Sequence, residues 1–542
     1  MDIRRRPYVR ALLAGVTVGA TSGIGSSTPK FSPKAMTESG PVSGVQVGPT
    51  NVYKGIPYAK QPIDDRRWRP PEIPAEWDGI LEATEYGPEC VQSGGLSQIT
   101  GGDSSGISGS EACLNLNVWT PVDATSDDPR PVMVWIHGGG YTTGNNRYDS
   151  RTLSAFGDVV VVAINYRLGP FGFFTHPDLL AENSRNVNQG YQDIRAALRW
   201  VQRNVRAFGG DPDNVTVFGE SAGGNAVLTL MTDPETEGLF HRVICQSGPA
   251  ISDLSTREEA AEAGVAIATE LGCTGRDAAG CLREKSPEAI LNAGSSNSSG
   301  NGVLDGPLGV VVDGEVIVEN PARRFFDGEF HDVPLLTGGN DDETQLFLLQ
   351  DAVPTDDAYE TAIRERYGEL ADAVLEAYPA EAYETPKKAL IDATTDSAFL
   401  CRDRLVAQWI DENGGTVYRY LFDDTPTHPL VALPWFADDV GAYHAAELPY
   451  VFGRAVPEGE YAAGQIGSSD RLLSRRIRDY WTTFAETGNP NSDRRPAWPE
   501  FTASEQRQIR LTETEVIPQC GTKDECVIWY PGYRRHIGFS ED

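Results

Sequence analysis

The chain has 542 residues with 46 basic against 78 acidic side chains, a net charge of −32. A chain this acidic cannot neutralise the phosphates of nucleic acid, which excludes nucleic acid as a partner. Its eight cysteines are too few for a disulfide-dense scaffold, and with neither C-x-x-C nor paired histidines no metal site is expected.

The basic residues divide into 8 Lys and 38 Arg, and the acids run along the whole chain rather than in one tail. Dispersed acidity with scarce lysine fits adaptation to concentrated salt, where repulsion is screened over about 3 Å at 1 M.

At the N-terminus Arg4, Arg5 and Arg6 precede a mildly apolar stretch from Ala11 to about Gly25, followed by small and polar residues. Its Gly, Thr and Ser content is too high for a spanning helix of about 20 residues. The pattern predicts a removable export signal of the twin-arginine kind over residues 1–35, with a secreted mature chain. No other segment is apolar enough to cross a membrane. Length alone suggests three or four domains, yet no linker, repeat or shift in composition divides the rest. Residues 36–542 are expected to form one large α/β domain, with polar loops at 92–110 and 292–302.

Apolar runs at 130–140, 158–169, 241–248, 333–340 and 417–424 read as strands, and Ile194, Ala197, Leu198, Val201 and Val205 give helical spacing over 190–210. Continuous rather than alternating apolar strands imply a sheet covered on both faces, and the interposed helices imply mainly parallel crossovers. Reactive groups then collect at the carboxyl ends of the strands.

Three segments end such strands. The first is "DNVTVFGESAGGN", in which a β-branched run turns through Gly219-Glu220-Ser221-Ala222-Gly223 into a helix-forming stretch. A glycine on each side of the serine fits a sharp strand–nucleophile–helix elbow, although a bare G-x-S-x-G also fits an ordinary glycine-rich turn. The second is His137-Gly138-Gly139-Gly140, whose backbone N–H groups, with that of Ala222, suit an oxyanion hole. The third is Asp341-Asp342-Glu343, any of which could orient a histidine. A serine nucleophile needs that histidine as a base. In the Ser–acid–His order of this fold class only His428, His444 and His536 lie far enough downstream. His536 falls in the polar tail, and spacing leaves both His428 and His444 open.

Together with "VYKGIPYAKQP", "ACLNLNVWTP", "VAINYRLGPFGFF", "CQSG", "YHAAELPYVFG" and "AETGNPN", these motifs resemble the type-B carboxylesterases, which include the cholinesterases, over nearly the whole mature chain. The resemblance implies an α/β-hydrolase fold with Ser221 as nucleophile, Glu343 as acid and His444 as base. Gly139, Gly140 and Ala222 would be the oxyanion donors. It also implies disulfides Cys90–Cys113, Cys273–Cys281 and Cys401–Cys526, the first and second of which close loops and agree with export. Cys245 and Cys520 are left over. Arg67 and Glu111 match a structural ion pair. The expected activity is hydrolysis of a small-molecule carboxylic ester with no cofactor. An amidase, carbamate or lactone hydrolase would share every residue, and a non-catalytic recognition protein of this fold would typically lack the serine. Two features depart from the resemblance. The loop from Val91 to Ala112 has no aromatic residue to serve as a cation–π platform for a choline ester, and Thr344 stands where glycine is frequent.

Overall fold

A computed structural model describes residues 32–93, 106–248, 254–296, 309–349, 351–429, 440–454, 464–493, 495–512, 516–520 and 524–536. Nearly all of the expected export signal, residues 94–105 of the first expected polar loop and residues 297–302 of the second lie outside these residues. The described chain begins earlier than the expected boundary at residue 36. Lys34–Thr37 already pairs with Gly40–Ser43, and Ala35 is buried.

The centre is an eleven-stranded sheet. In chain order its strands are β1 (Val45–Val47), β2 (Thr50–Pro57), β3 (Asn115–Pro121), β4 (Arg130–Ile136), β5 (Val160–Ile164), β6 (Gly210–Glu220), β7 (Arg242–Gln246), β8 (Leu335–Asn340), β9 (Val417–Phe422), β10 (Arg507–Leu511) and β11 (Val516–Cys520). Their spatial order is β11-β10-β9-β8-β7-β6-β4-β5-β3-β2-β1. From β10 to β5 all neighbours run parallel, and β11 at one edge and β3, β2 and β1 at the other are antiparallel. This is the α/β-hydrolase arrangement.

The continuous apolar strands are explained by cover on both faces. Val132, Val134 and Ile136 of β4 enter one core, while Met133 and Trp135 enter the other. Helix α1 (Gln189–Asn204) lays Ile194, Ala197, Leu198 and Val201 into the first core together with Ala226 and Val227 of α2 (Ala222–Met231). Helix α3 (Arg471–Thr487) lays Leu473, Ile477, Tyr480, Trp481 and Phe484 into the second. The helix expected over 190–210 ends earlier, at Asn204. A 3₁₀ turn over Val205–Phe208 follows, and Gly209, with φ 79°, takes the left-handed position that ends it.

Disulfides join Cys90 to Cys113, Cys273 to Cys281 and Cys401 to Cys526. Cys245 is a buried thiol, and the Cys520 side chain lies outside what is described. Gln92–Ser93 pairs antiparallel with Ile107–Ser108, which clamps the two ends of the first polar loop beside its disulfide. Arg67 grips Glu111 through Nε and Nη2 and also donates to the carbonyls of Leu282, Arg283 and Lys285. It thereby ties the Cys90–Cys113 region to the end of the Cys273–Cys281 region. Among the described residues no helix is long and apolar enough to cross a membrane.

Candidate active site

Strand β6 ends at Glu220 and α2 starts at Ala222, so Ser221 alone makes the turn. Its backbone has φ 57° and ψ −123°, a conformation that an L-residue holds only when its surroundings impose it. The imposing contacts are close. A Cβ on Gly223 would lie 2.1 Å from the Ile136 carbonyl oxygen, and one on Gly219 would lie 2.5 Å from Gly223 carbonyl atoms. The Ser221 N–H donates to the Gln246 carbonyl of β7 (2.9 Å), and Asn225 N–H returns to the Ser221 carbonyl (2.8 Å). The small residues flanking the serine are therefore required by backbone packing.

The glycine run abuts this turn, since a Cβ on Gly138 would meet Ser221 Cβ at 2.9 Å. Gly139 (φ 103°) and Gly140 (φ 60°) both take the positive φ that glycine tolerates. The Gly139 carbonyl accepts from Thr142 and Thr143 N–H, closing the turn. His137 braces it from below. Its ring stacks on Tyr166 at 4.5 Å, with Nδ1 2.9 Å from the Gly138 carbonyl oxygen. Burial pushes this imidazole down to about 4, so it is neutral at physiological pH.

The three consecutive acids point three ways. Asp341 faces Arg510 at 3.8 Å. Asp342 accepts from Ala442 N–H (3.0 Å) and from Lys388 Nζ (2.5 Å). Its own N–H donates to the Ala442 carbonyl, so it laces the acid loop to the histidine loop. Glu343, fully buried, accepts Asn340 N–H on Oε1 (2.8 Å) and presents Oε2 to His444 Nδ1 at 2.5 Å. Glu343 starts a 3₁₀ turn, Glu343–Gln345, and that turn aims it inward. Thr344 pins the turn. Its hydroxyl contacts the Ile391 carbonyl (3.0 Å) and Thr394 Oγ1 (2.6 Å), and its N–H donates to Thr395 Oγ1 (3.2 Å). This is the structural use of the threonine. His428, the other candidate, lies in a short ribbon opposite Gln465, and His536 ends the last helix.

Two carboxylates beside His444 escaped the sequence analysis. Glu220 Oε1 lies 3.0 Å from His444 Nε2. Glu447 accepts Gln246 Nε2 and Asn340 Nδ2, each at 2.8 Å, and Trp481 Nε1 donates to Gln246 Oε1 (3.0 Å). Burial raises Glu220, with Glu447 and Glu343 adding to the shift and His444 opposing it. Burial also raises Glu447, with Glu343 adding, against the Asn340 and Gln246 donors. For His444 burial acts downward, but Glu220 first and Glu343 second outweigh it and hold the imidazole above its ordinary value. The signals were present in the sequence: Glu220 adjoins the serine, and Glu447 lies three residues after His444. Phe347 and Phe399 flank the imidazole at 5.1 and 5.2 Å between ring centres, giving the histidine apolar walls.

The strained serine abuts the glycine turn, His444 is held by buried Glu343, and Glu220, the serine's neighbour in the chain, reaches His444 Nε2; these are groups that suit acyl transfer. Residues 32–529 match the carboxylesterase family. The chain is similar to the para-nitrobenzyl esterase of Bacillus subtilis (strain 168), at 35% identity over 487 residues, covering 89% of this chain and 94% of the relative. It is 34% identical over 474 residues to the fumonisin B1 esterase of Sphingopyxis macrogoltabida, covering 86% and 84% of the two chains. Human carboxylesterase 3 is 34% identical over 528 residues, covering 91% and 88%.

Proposed function

The chain belongs to the carboxylesterase family and is a serine carboxylic ester hydrolase; we propose that it acts through Ser221, His444 and Glu343, is exported, and is adapted to concentrated salt. The observation that carries the catalytic reading is the pairing of Glu343 with His444 Nδ1 at 2.5 Å, in a chain whose elbow holds Ser221 at positive φ.

In this reading the Ser221 hydroxyl attacks the ester carbonyl while His444 Nε2 takes its proton. Glu343 holds the Nδ1–H tautomer and stabilises the imidazolium. The backbone N–H groups of Gly139, Gly140 and Ala222 receive the negative charge that develops on the carbonyl oxygen. Such donors matter because charge appears there only in the transition state; removing one typically costs about 10²–10³-fold in kcat. His444 returns the proton to the leaving alcohol, which departs and leaves an acyl group on Ser221. Water, deprotonated by the same histidine, then attacks the acyl carbon; the bond to Ser221 Oγ breaks, His444 returns the proton to that oxygen, and the acid is released. His444 carries each proton in transit, and the reading calls for no cofactor.

Phe347 and Phe399 beside the imidazole favour a substrate with an apolar or aryl group next to the scissile bond. A relative named for para-nitrobenzyl esters points the same way. The first assay is therefore a panel of chromogenic aryl and short-chain alkyl esters across salt concentration. Turnover of none of them would contradict the catalytic reading.

Export is supported by three disulfides, which persist in oxidising compartments, and by the arginine-led N-terminal sequence. Salt adaptation is supported by the net charge of −32 and by basic residues that are overwhelmingly arginine.

A further inference from the structure

A cavity of about 400 Å³ opens beside α1 and shares no lining residue with the cluster around His444. In a chain of net charge −32 it is lined by four arginines: Arg185, Arg195, Arg199 and Arg203. Three of these follow one another at four-residue intervals on α1, where like charges repel. Concentrating positive charge in one groove of an acidic protein works against the helix unless something negative settles there.

The acids already present do not saturate these groups. Glu235 serves three of them: Arg185 Nη2 at 2.7 Å, Arg199 Nη2 at 3.0 Å and Arg195 Nη1 at 3.4 Å. Arg203 donates through Nε to Glu38 at 2.7 Å. Among the described residues, the side chains of Arg185, Arg199 and Arg203 each donate one hydrogen bond, although a guanidinium carries five N–H groups. These three side chains are 33%, 42% and 30% exposed, which leaves their remaining N–H groups open to solvent or a ligand, whereas the buried arginines of this chain are bonded within the protein. Arg67 donates to Glu111 twice and to three carbonyls, and Arg167 grips Asp193 with two groups and the Arg69 carbonyl with a third. Arg195 forms the floor. It is 1% exposed, bound to Asp233 and the Val316 carbonyl, and its Nη1 makes no hydrogen bond. Burial would raise the Glu235 carboxyl, yet the surrounding guanidiniums hold it below the ordinary range. The guanidiniums thus outweigh burial at the one carboxylate that three of them share.

We propose that this groove binds a small organic oxyanion carrying at least two negative charges. Guanidinium forks match the paired oxygens of carboxylate and phosphate groups alike. The volume falls in the range of small-molecule sites, and Pro71 and Ile73 supply an apolar wall for the rest of the ligand. Glu72 also lines the groove, but Lys60 Nζ holds it at 2.6 Å. At molar salt only contacts of about 3 Å remain unscreened, so recognition rests on direct guanidinium bonds rather than on long-range attraction.

Titration calorimetry of the full chain with pyrophosphate and, separately, with citrate tests this, with KCl adjusted to constant ionic strength. One of the two anions is expected to bind saturably at one site per chain. The Arg199→Gln/Arg203→Gln double variant should bind it at least tenfold more weakly, with ester turnover unchanged. Glu235→Gln, which removes the resident competitor, should bind it at least threefold more tightly, and this arm decides the matter should the arginine variant fail to fold. Pyrophosphate alone assigns a phosphate-bearing ligand and citrate alone a polycarboxylate. Heats no larger than those of KCl, or equal affinity in wild type and Glu235→Gln, overturn the proposal.

Discussion

Glu220 Oε1 stands 3.0 Å from His444 Nε2, while Glu343 Oε2 stands 2.5 Å from Nδ1 on the same ring. The imidazole is thus set between two buried carboxylates, and both favour its protonated form. A protonated histidine cannot take the serine proton, so activity rises with pH as the ring loses its proton. Its raised value places that rise above the ordinary imidazole range. Glu220→Gln removes one of the two charges and weakens the hold on the proton. The acid limb of kcat/KM should then move to lower pH by about one to three units. A limb that stays put or moves upward would show that Glu220 does not act on the ring.

The acid loop separates catalysis from stability. Glu343→Gln should lower kcat by about 10³–10⁴-fold with little change in melting temperature, because the wrong tautomer is then held. Asp342→Asn should do the reverse. It weakens the bonds to Ala442 N–H and Lys388 that lace the two loops, at a cost of about 1–3 kcal/mol in stability. Asp341→Asn should change neither measurably. Paired kinetics and thermal melts on the three variants separate these outcomes.

The turn around the serine tolerates no added atom. Gly223→Ala would drive a methyl group to 2.1 Å from the Ile136 carbonyl oxygen, at the end of β4 where the glycine run begins. Backbone must shift, costing about 1–3 kcal/mol or more, and the shift displaces His137–Gly140 from Ser221. A lower melting temperature together with a loss of kcat is expected. Unaltered kinetics would mean that the turn is looser than its contacts suggest.

Much of this was readable from residue order because it follows from backbone chemistry. The strand ends, the elbow glycines and the glycine run are each written in local sequence. The covering of both sheet faces was equally legible, since Met133 and Trp135 are as apolar as Val132 and Val134. Other features depended on how distant segments meet. Nothing local separates Glu343 from Asp341 and Asp342, because the choice depends on a 3₁₀ turn held by Thr344 against Thr394 and Thr395, fifty residues on. Spacing likewise left His428 beside His444. Glu447 binds partners on two strands, Gln246 and Asn340, and no sequence window contains all three. The antiparallel strands at both edges were hidden for the same reason, since strand direction depends on the connections.

Salt dependence follows from charge. At about 0.01 M salt the screening length is roughly 30 Å, so most of the acidic groups repel one another, whereas at 1 M it is about 3 Å. Native stability is on the order of 5–15 kcal/mol, which a small repulsion per carboxylate summed over the surface can exceed. The melting temperature should therefore rise steeply between about 0.05 M and 3 M KCl, with activity lost on dialysis into low salt. A flat or falling series would contradict salt adaptation.

If Ser221 is the nucleophile, a serine-directed phosphonate will mark it, because such a reagent forms a stable bond only to a serine whose proton a base removes. Peptide mapping by mass spectrometry after inactivation should find one adduct per chain, on Ser221. The Ser221→Ala variant should take up no label and turn over no ester while melting as the wild type does. An adduct on any other residue, or ester turnover persisting in the alanine variant, would contradict the account.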